Sequence, residues 1–101
     1  MYLYNITYNI DRDIEDHWIE WMKRIHLPKI MATGYFESYK FYRLLNVMEE
    51  GVTYSAQFFA ANLSEIEEYL EKEAPLLIEE HNQKYRHKHV AFRTVLQEVD
   101  Q

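Results

Sequence analysis

The sequence contains no cysteine, only two glycines and two prolines, and no apolar run approaching the length of a membrane span. Without cysteine, disulfides and thiolate metal sites are both excluded, and a reducing compartment, with the cytoplasm as the default, is the expected location. A transmembrane helix needs about 20 consecutive apolar residues, so no membrane association is expected. The scarcity of glycine and proline predicts few irregular loops.

Positive charge is also in short supply, whereas aromatic side chains are abundant. The 11 Lys and Arg residues are outnumbered by 17 Asp and Glu residues, which gives a net charge of −6. Nucleic-acid binding depends on neutralising phosphates, so this charge argues against a nucleic-acid partner. Nine Tyr, five Phe and two Trp exceed what one small core normally hides. The surplus is expected to line a ligand cavity or to cover an interface.

Hydrophobic periodicity divides residues 1–101, which form a single domain, into four strands and two helices. The N-terminal residues MYLYNITYNI alternate in period two, which is typical of a strand and not of a signal peptide. The first half of the chain is predicted to form a strand at 2–10, a helix that runs from Ile14 and ends at Gly34, and a strand from Tyr35 to about Met48. A hairpin turn at Glu49-Glu50-Gly51 then leads to a strand at 52–61. A helix opened by a Ser64–Glu67 capping box and a strand at about 90–99 complete the chain.

Each predicted helix contains one proline. Pro28 cannot donate a hydrogen bond to the carbonyl of Arg24, so we expect the first helix to kink or restart there. The carbonyls of residues 22–24 would then lack their usual helical donors. Pro75 is expected to kink the second helix in the same way. Within the first helix, the apolar spacing places Trp18, Trp21, Met22 and Ile25 on one buried face.

The element order predicts an α+β, ferredoxin-like βαββαβ fold, with both helices on one face of a four-stranded antiparallel sheet of order 4-1-3-2. The distribution of charge agrees with this order. Residues 2–10 and 52–61 contain no charged side chain, as expected of central strands. The second strand carries Glu37, Lys40 and Arg43, which suits an edge strand, because edge charges discourage mispairing.

The sheet face that the helices leave uncovered is predicted to be polar but uncharged. It would show Asn5, Thr7, Ser55 and Gln57, and aromatic residues occur on both faces of the second strand. One interpretation is a solvated sheet face, which antiparallel sheets commonly have. The other is a homodimer in which two such faces enclose a dimeric α/β barrel, and the aromatic residues favour it. Recognition of RNA on this face is disfavoured, because the domain is acidic.

A resemblance covers nearly the whole chain. Its matching segments include Trp18 and Trp21-Met22, His26-Leu27-Pro28, Ala32-Thr33-Gly34, Arg43-Leu44, Gly51-Val52-Thr53-Tyr54-Ser55, Tyr69-Leu70, Ala74-Pro75, His81 and Ala91-Phe92-Arg93-Thr94. In this order the segments resemble an uncharacterised bacterial family, domain of unknown function 4286. The resemblance implies the topology of dimeric α/β-barrel proteins, which include monooxygenases, isomerases and non-catalytic ligand binders. It implies no activity.

His26 is the leading candidate for a catalytic residue, because it lies beside the break expected at Pro28 and its imidazole titrates near neutral pH. The alternative is a structural histidine that bonds a carbonyl freed at the kink. His81 lies on the inner face of the second helix, where a structural role is the simpler interpretation. His87 and His89 lack a third ligand at a recognisable spacing, so no metal site is predicted.

Two functions follow, and both involve a set of possible ligand-binding residues: Trp21, Arg43, Thr53, Tyr54, Gln57 and His81. The first is a non-catalytic homodimeric module that binds a small organic molecule or a protein partner. The second is a cofactor-independent oxygenase or isomerase with His26 as general base, in which Trp21, Tyr54 or Gln57 orients the substrate. Neither function requires a cofactor. A closed cavity with His26 in its wall would favour the enzyme.

Overall fold

A four-stranded antiparallel sheet with helices on one face makes up the chain, which the computed structural model describes over residues 1–46 and 50–100. This confirms the predicted α+β class. The strands are β1 (Tyr2–Ile10), β2 (Ser38–Arg43), β3 (Val52–Ala60) and β4 (His89–Gln97). The helices are α1 (Glu15–Trp21), α2 (Leu27–Ala32), α3 (Leu63–Lys72) and α4 (Ala74–Lys84), and a 3₁₀ turn at Arg12–Ile14 precedes α1.

The strand order is β2-β3-β1-β4, which is 4-1-3-2 when read from the other edge. β1 and β3 are therefore the central strands, and they pair antiparallel with Ile6 opposite Ala56. On its other side Ile6 lies opposite Arg93 of β4. The strands that carry charged side chains are the two edges, as the charge distribution predicted.

The core lies between the sheet and the helices. Alternate side chains of β1 and β3 face the helices and are buried, as the period-two pattern predicted. The helices contribute the other half of this layer. Full burial of one such side chain stabilises the fold by about 1.5–3 kcal/mol relative to exposure. The largest fully buried side chains are Trp18, Tyr4, Tyr8, Tyr69, Phe58, Ile10, Met22, Leu27, Ile30, Ile66 and His81.

The first helical region does not break at Pro28. Instead, α1 continues into a π-helical turn at Met22–His26, which leads directly into α2. The Leu27 N–H donates to the Met22 carbonyl, so this carbonyl has a donor, contrary to the prediction. A widened turn accommodates the proline ring, which in a regular helix would clash with the carbonyl four residues earlier. The extra residue also shifts the buried face, so Ile25 is 43% exposed and His26 is only 3% exposed.

The second helical region consists of two helices, α3 and α4, which meet at Glu73. Pro75 lies in the first turn of α4, where a missing N–H costs nothing. The prediction of a single kinked helix is thus corrected to a complete restart. The capping box is formed by Asn62 and Glu65, not by Ser64 and Glu67, and the Asn62 N–H donates to Glu65 Oε1 at 3.1 Å.

Two strand boundaries differ from the prediction. β2 begins at Ser38 instead of Tyr35, because Phe36 turns inward and is buried before the strand starts. β4 begins at His89 and ends at Gln97. Gly34 has a φ of +86°, as expected of a glycine that ends a helix. The predicted end of the second strand at Met48 and the predicted turn residue Glu49 lie outside the described residues.

Candidate functional site

The residues predicted to form one site lie in three places. His26, His81 and Trp21 come together between the helices and the sheet. Thr53 and Gln57 lie on the opposite face of the sheet, which the helices leave open. Arg43 and Tyr54 are cross-strand neighbours at one edge. The parity of the β3 side chains separates Thr53 and Gln57 from Tyr54, because successive residues of a strand point to opposite faces.

The first place is a buried cluster of histidine and aromatic rings. Trp21 stacks on His26 at 4.9 Å between ring centroids, and His26 lies 5.5 Å from His81. The indole N–H of Trp18 donates to His81 Nε2 at 2.9 Å. This nitrogen is therefore unprotonated, and a neutral His81 carries its proton on Nδ1. We call this group the histidine cluster; its members are His26, His81, Tyr8, Trp18, Trp21 and Tyr85.

Burial keeps both histidines of this cluster neutral. It lowers the pKa of His26 from 6.5 to about 4, an effect that Glu80 opposes and that Lys29 and Arg93 reinforce. It lowers the pKa of His81 to about 3, and the nearby His89, His26 and Arg93 add to this shift. The Nδ1 atoms of both rings have no hydrogen-bond partner within residues 1–46 and 50–100. Unpaired buried nitrogens are uncommon, which makes His26 and His81 a site of interest.

The second place is a groove of about 460 Å³ on the open face of the sheet. Its floor is a chain of uncharged polar side chains that bond one another. Ser55 Oγ donates to Asn5 Oδ1 at 2.7 Å, and Asn5 Nδ2 donates to Thr7 Oγ1 at 3.1 Å and to Thr94 Oγ1 at 3.3 Å. Gln57 Nε2 lies 3.4 Å from Ser55 Oγ. We call this the open-face groove; it is lined by Leu3, Asn5, Thr7, Tyr42, Arg43, Leu44, Ser55, Gln57, Thr94 and Leu96.

The apolar side chains that surround this polar floor are well exposed. Phe92 is 65% exposed, Leu96 46% and Tyr42 48%, although Ser55 in the centre is only 8% exposed. Thr53 also contributes to this face, and it accepts a hydrogen bond from Asn9 Nδ2 at 3.0 Å. The open face is therefore a polar centre within an apolar rim.

The third place is the edge formed by β2. The Tyr54 hydroxyl donates to Glu15 Oε2 at 2.6 Å, and the Arg43 guanidinium lies 3.9 Å from the same oxygen. Burial and the hydrogen bond to the Glu15 carboxylate raise the pKa of Tyr54 to about 12. Tyr54 is thus protonated at neutral pH and serves as a hydrogen-bond donor. Arg43 also reaches the open-face groove, so it joins the second and third places.

The sequence predicted the uncovered polar face of the sheet. It did not predict the hydrogen-bond network on that face or the residues that lie beside Arg43. The hydrogen bonds of Asn5 depend on cross-strand register, which one sequence does not define. Lys23 lines a groove that Arg43 also lines, and it was not singled out because its sequence context is that of an ordinary solvated lysine on an amphipathic helix. In the part of the chain that the structure describes, no group of three or more His, Cys, Asp or Glu side chains could hold a metal ion. Nor does any described helix have the length and apolar character needed to cross a membrane.

The fold and the open face define a ferredoxin-like α+β protein. The chain belongs to the DUF4286 family, a domain of unknown function whose model matches residues 1–99. This confirms the resemblance found in the sequence. No curated protein sequence matches the chain.

Solved structures share this fold at low sequence identity. An EthD-family protein from Bacillus halodurans has a TM-score of 0.73 at 11% identity, with 98% of this chain and 100% of that chain covered. HapK from Hahella chejuensis has a TM-score of 0.72 at 8% identity, with 100% and 95% covered. A dimeric ferredoxin-like protein from an uncultured marine organism has a TM-score of 0.67 at 11% identity, with 99% and 96% covered. At these identities the likeness establishes the fold alone.

Proposed function

We propose that this protein is a homodimeric module that binds a small, uncharged organic molecule without catalysis. The observation that carries this proposal is the open face, where exposed apolar side chains surround a hydrogen-bonded, uncharged polar floor. An exposed apolar surface of this kind marks an interaction site on a small protein. The dimeric state of the ferredoxin-like marine protein of similar fold supports the same arrangement.

Self-association suits this face because it carries little charge. In a two-fold dimer each residue meets a copy of the same surface, so like charges would repel. The side chains of β1 and β3 on this face are all uncharged. The ammonium group of Lys40, on edge strand β2, lies 5.9 Å from the centroid of the Phe59 ring and not over the polar floor. Two copies would bury their apolar rims and enclose the two polar floors as one cavity.

The polar floor indicates the ligand. Its hydroxyl and amide groups can accept and donate hydrogen bonds but supply no charge, which favours an uncharged molecule with several polar atoms. Gln57 lies at the end of the network, and its contact with Ser55 at 3.4 Å is long, so the amide is available to a ligand. A location in the cytoplasm is part of this proposal, and the absence of cysteine supports it.

The dimer can be tested by sedimentation velocity between about 1 and 100 µM. We expect a dimer for the wild type and a monomer for Phe92→Glu, because this change puts two carboxylates into the interface. Leu76→Glu is the matched control, since Leu76 is 72% exposed on α4, away from the open face. A monomeric wild type at 100 µM, or a Phe92→Glu variant that remains dimeric, would contradict the proposal.

The ligand can be tested by native mass spectrometry of protein purified from its own host. We expect a dimer that carries extra mass, released on denaturation as a small molecule. Gln57→Leu, which removes the amide but keeps the volume, should reduce this occupancy. Dimers without bound mass would contradict the ligand and leave the dimer standing.

A second function, a cofactor-independent oxygenase or isomerase, is favoured by one observation: the Nδ1 atom of His26 has no partner among the described residues. Two others weigh against it. A base with a pKa near 4 accepts a proton poorly at neutral pH, and His26 lines none of the grooves described in this structure. Gln57 lies on the other side of the sheet and would not contact the same substrate. His26→Ala should leave turnover of an identified substrate unchanged if His26 is not the base.

A further inference from the structure

A second groove lies between the first helical region and edge strand β2, and it is separate from the floor of the open-face groove. It has a volume of about 380 Å³. One wall comes from Ile19, Lys23 and Leu27, which are spaced four residues apart and form one face of α1, the π turn and α2. The other wall comes from the aromatic side chains of β2 and from Tyr54. We call it the edge groove.

The walls of the edge groove are aromatic and partly exposed. Phe41 stacks on Tyr54 with ring centroids 5.5 Å apart and an angle of 26° between the rings. Tyr39, which is 38% exposed, stacks on the buried Phe58 at 5.9 Å. These rings are held in place by packing on their inner sides, so a planar ligand could stack on them at a small entropic cost.

Two exposed cations, Lys23 and Arg43, border these rings, and neither donates a side-chain hydrogen bond to the part of the chain that the structure describes. Lys23 has no ion-pair or hydrogen-bond partner among residues 1–46 and 50–100. The Arg43 guanidinium lies 3.9 Å from Glu15 Oε2, which is beyond hydrogen-bond length. Four other cations, by contrast, have a carboxylate at short distance; two of them are Lys29 with Glu80 at 2.9 Å and Lys72 with Glu68 at 2.6 Å. The edge groove thus combines an apolar aromatic surface with two exposed cations that are not hydrogen-bonded to a carboxylate of the described residues.

The π turn is a separate observation that points to the same groove. It holds Lys23 and directly precedes Leu27, so it determines how the helical wall faces β2. Such widened turns are rare and occur frequently at functional sites. Pro28 explains why a widened turn is tolerated here, but it does not explain why the wall beside it carries an unpaired lysine.

We propose that the edge groove binds an aromatic carboxylate. The ring system would lie against Phe41 and Tyr39, and the carboxylate would accept hydrogen bonds from the Arg43 guanidinium and the Lys23 ammonium. A guanidinium suits a carboxylate because its parallel N–H groups match the two oxygens. The Glu15 carboxylate lies 3.9 Å from one Arg43 nitrogen, so the ligand would compete with Glu15 for this guanidinium, and Lys23 supplies the second positive charge. This site does not depend on the proposed dimer.

The test uses 2-naphthoate as the probe, with isothermal titration for affinity and ¹⁵N amide shifts for location. We expect a Kd on the order of 1 mM or tighter, with shifts in α1 and β2. The neutral analogue 2-naphthalenemethanol should bind about tenfold more weakly. Arg43→Gln and Lys23→Gln should each weaken naphthoate binding about fivefold or more.

Lys40→Gln is the matched control. It removes the same charge from the same strand as Arg43→Gln, but its side chain lies on the open face over Phe59. It should leave naphthoate affinity unchanged, as should the Phe92→Glu variant. Equal losses in Lys40→Gln and Arg43→Gln, equal affinity for the neutral analogue, shifts confined to the open face, or no binding at about 5 mM probe would each overturn the proposal.

Discussion

The histidine cluster makes a quantitative prediction about acid stability. His26 and His81 have folded-state pKa values lowered by burial to about 4 and about 3, against 6.5 in the unfolded chain. Between these values the unfolded state binds more protons than the folded state, so the free energy of unfolding falls as the pH falls. The loss begins near pH 6.5 and levels off only below the folded-state values.

The size of the effect follows from the same values. From about pH 8 to about pH 5, an unfolded histidine becomes almost fully protonated, whereas the folded one stays neutral. This costs about 2 kcal/mol for each of the two residues, or about 4 kcal/mol together. Small domains have a total free energy of unfolding of about 5–15 kcal/mol, so this loss removes between about a quarter and about four-fifths of the total by pH 5.

Urea denaturation at several pH values, followed by tryptophan fluorescence, measures this dependence. His26→Phe keeps the stacking on Trp21 but removes one titrating group, so it should lose about 2 kcal/mol less than the wild type over this range. His87→Asn is the control: His87 is exposed with a φ of +65°, which asparagine tolerates, and the variant keeps both histidines of the cluster, so the loss of about 4 kcal/mol should remain.

A direct check is NMR titration of the histidine ring protons, in which His26 and His81 should not shift between about pH 8 and about pH 5. Two results would refute the reasoning. One is a pH dependence in His26→Phe equal to that of the wild type, and the other is a His26 ring that titrates above pH 6.

Two further predictions concern the ends of the secondary-structure elements. Asn62→Ala should lower the free energy of unfolding by about 1 kcal/mol in urea titrations, whereas Ser64→Ala should have little effect, because the structure assigns the helix cap to Asn62. Equal losses in the two variants would contradict the assignment of the cap to Asn62. Gly51→Ala should lower the melting temperature more than Gly34→Ala: both have positive φ, but a Cβ at Gly51 would lie 2.5 Å from the Ile10 carbonyl oxygen, and one at Gly34 meets nothing within 4 Å. Equal shifts would mean that backbone strain alone decides the cost.

Much of the fold could be predicted because it depends on patterns within single elements. Period-two alternation defined the buried faces of β1 and β3, and the charges of Lys40 and Arg43 marked β2 as an edge. The cap at Asn62 was missed because Ser64–Glu67 satisfies the same spacing rule, and one sequence does not rank two overlapping caps. The inward turn of Phe36 depends on its packing against Tyr4 and Tyr69, which are distant in sequence.

The histidine cluster was harder to predict than the fold, because the position of His26 depends on a one-residue shift within the first helical region. Regular helical spacing carries Ile25 into the core, and the π turn replaces it with His26. Whether a helix with an internal proline kinks, restarts or widens depends on how its flanking turns pack. The two proline regions of this chain differ in this respect, although their sequences gave the same expectation.

The protonation, hydrogen bonding and exposure of the polar side chains distinguish the histidine cluster from the two grooves. Within the histidine cluster, His81 accepts a hydrogen bond from Trp18, both rings are neutral, and none of the grooves described reaches His26. Because burial lowers their pKa values, the two histidines destabilise the folded state as the pH falls below about 6.5. Lys23, Arg43 and Gln57 line open grooves, and among the described residues Lys23 and Arg43 have no hydrogen-bonded carboxylate partner. We therefore propose that binding takes place in the two grooves beside β2, both of which Arg43 lines, and not at His26.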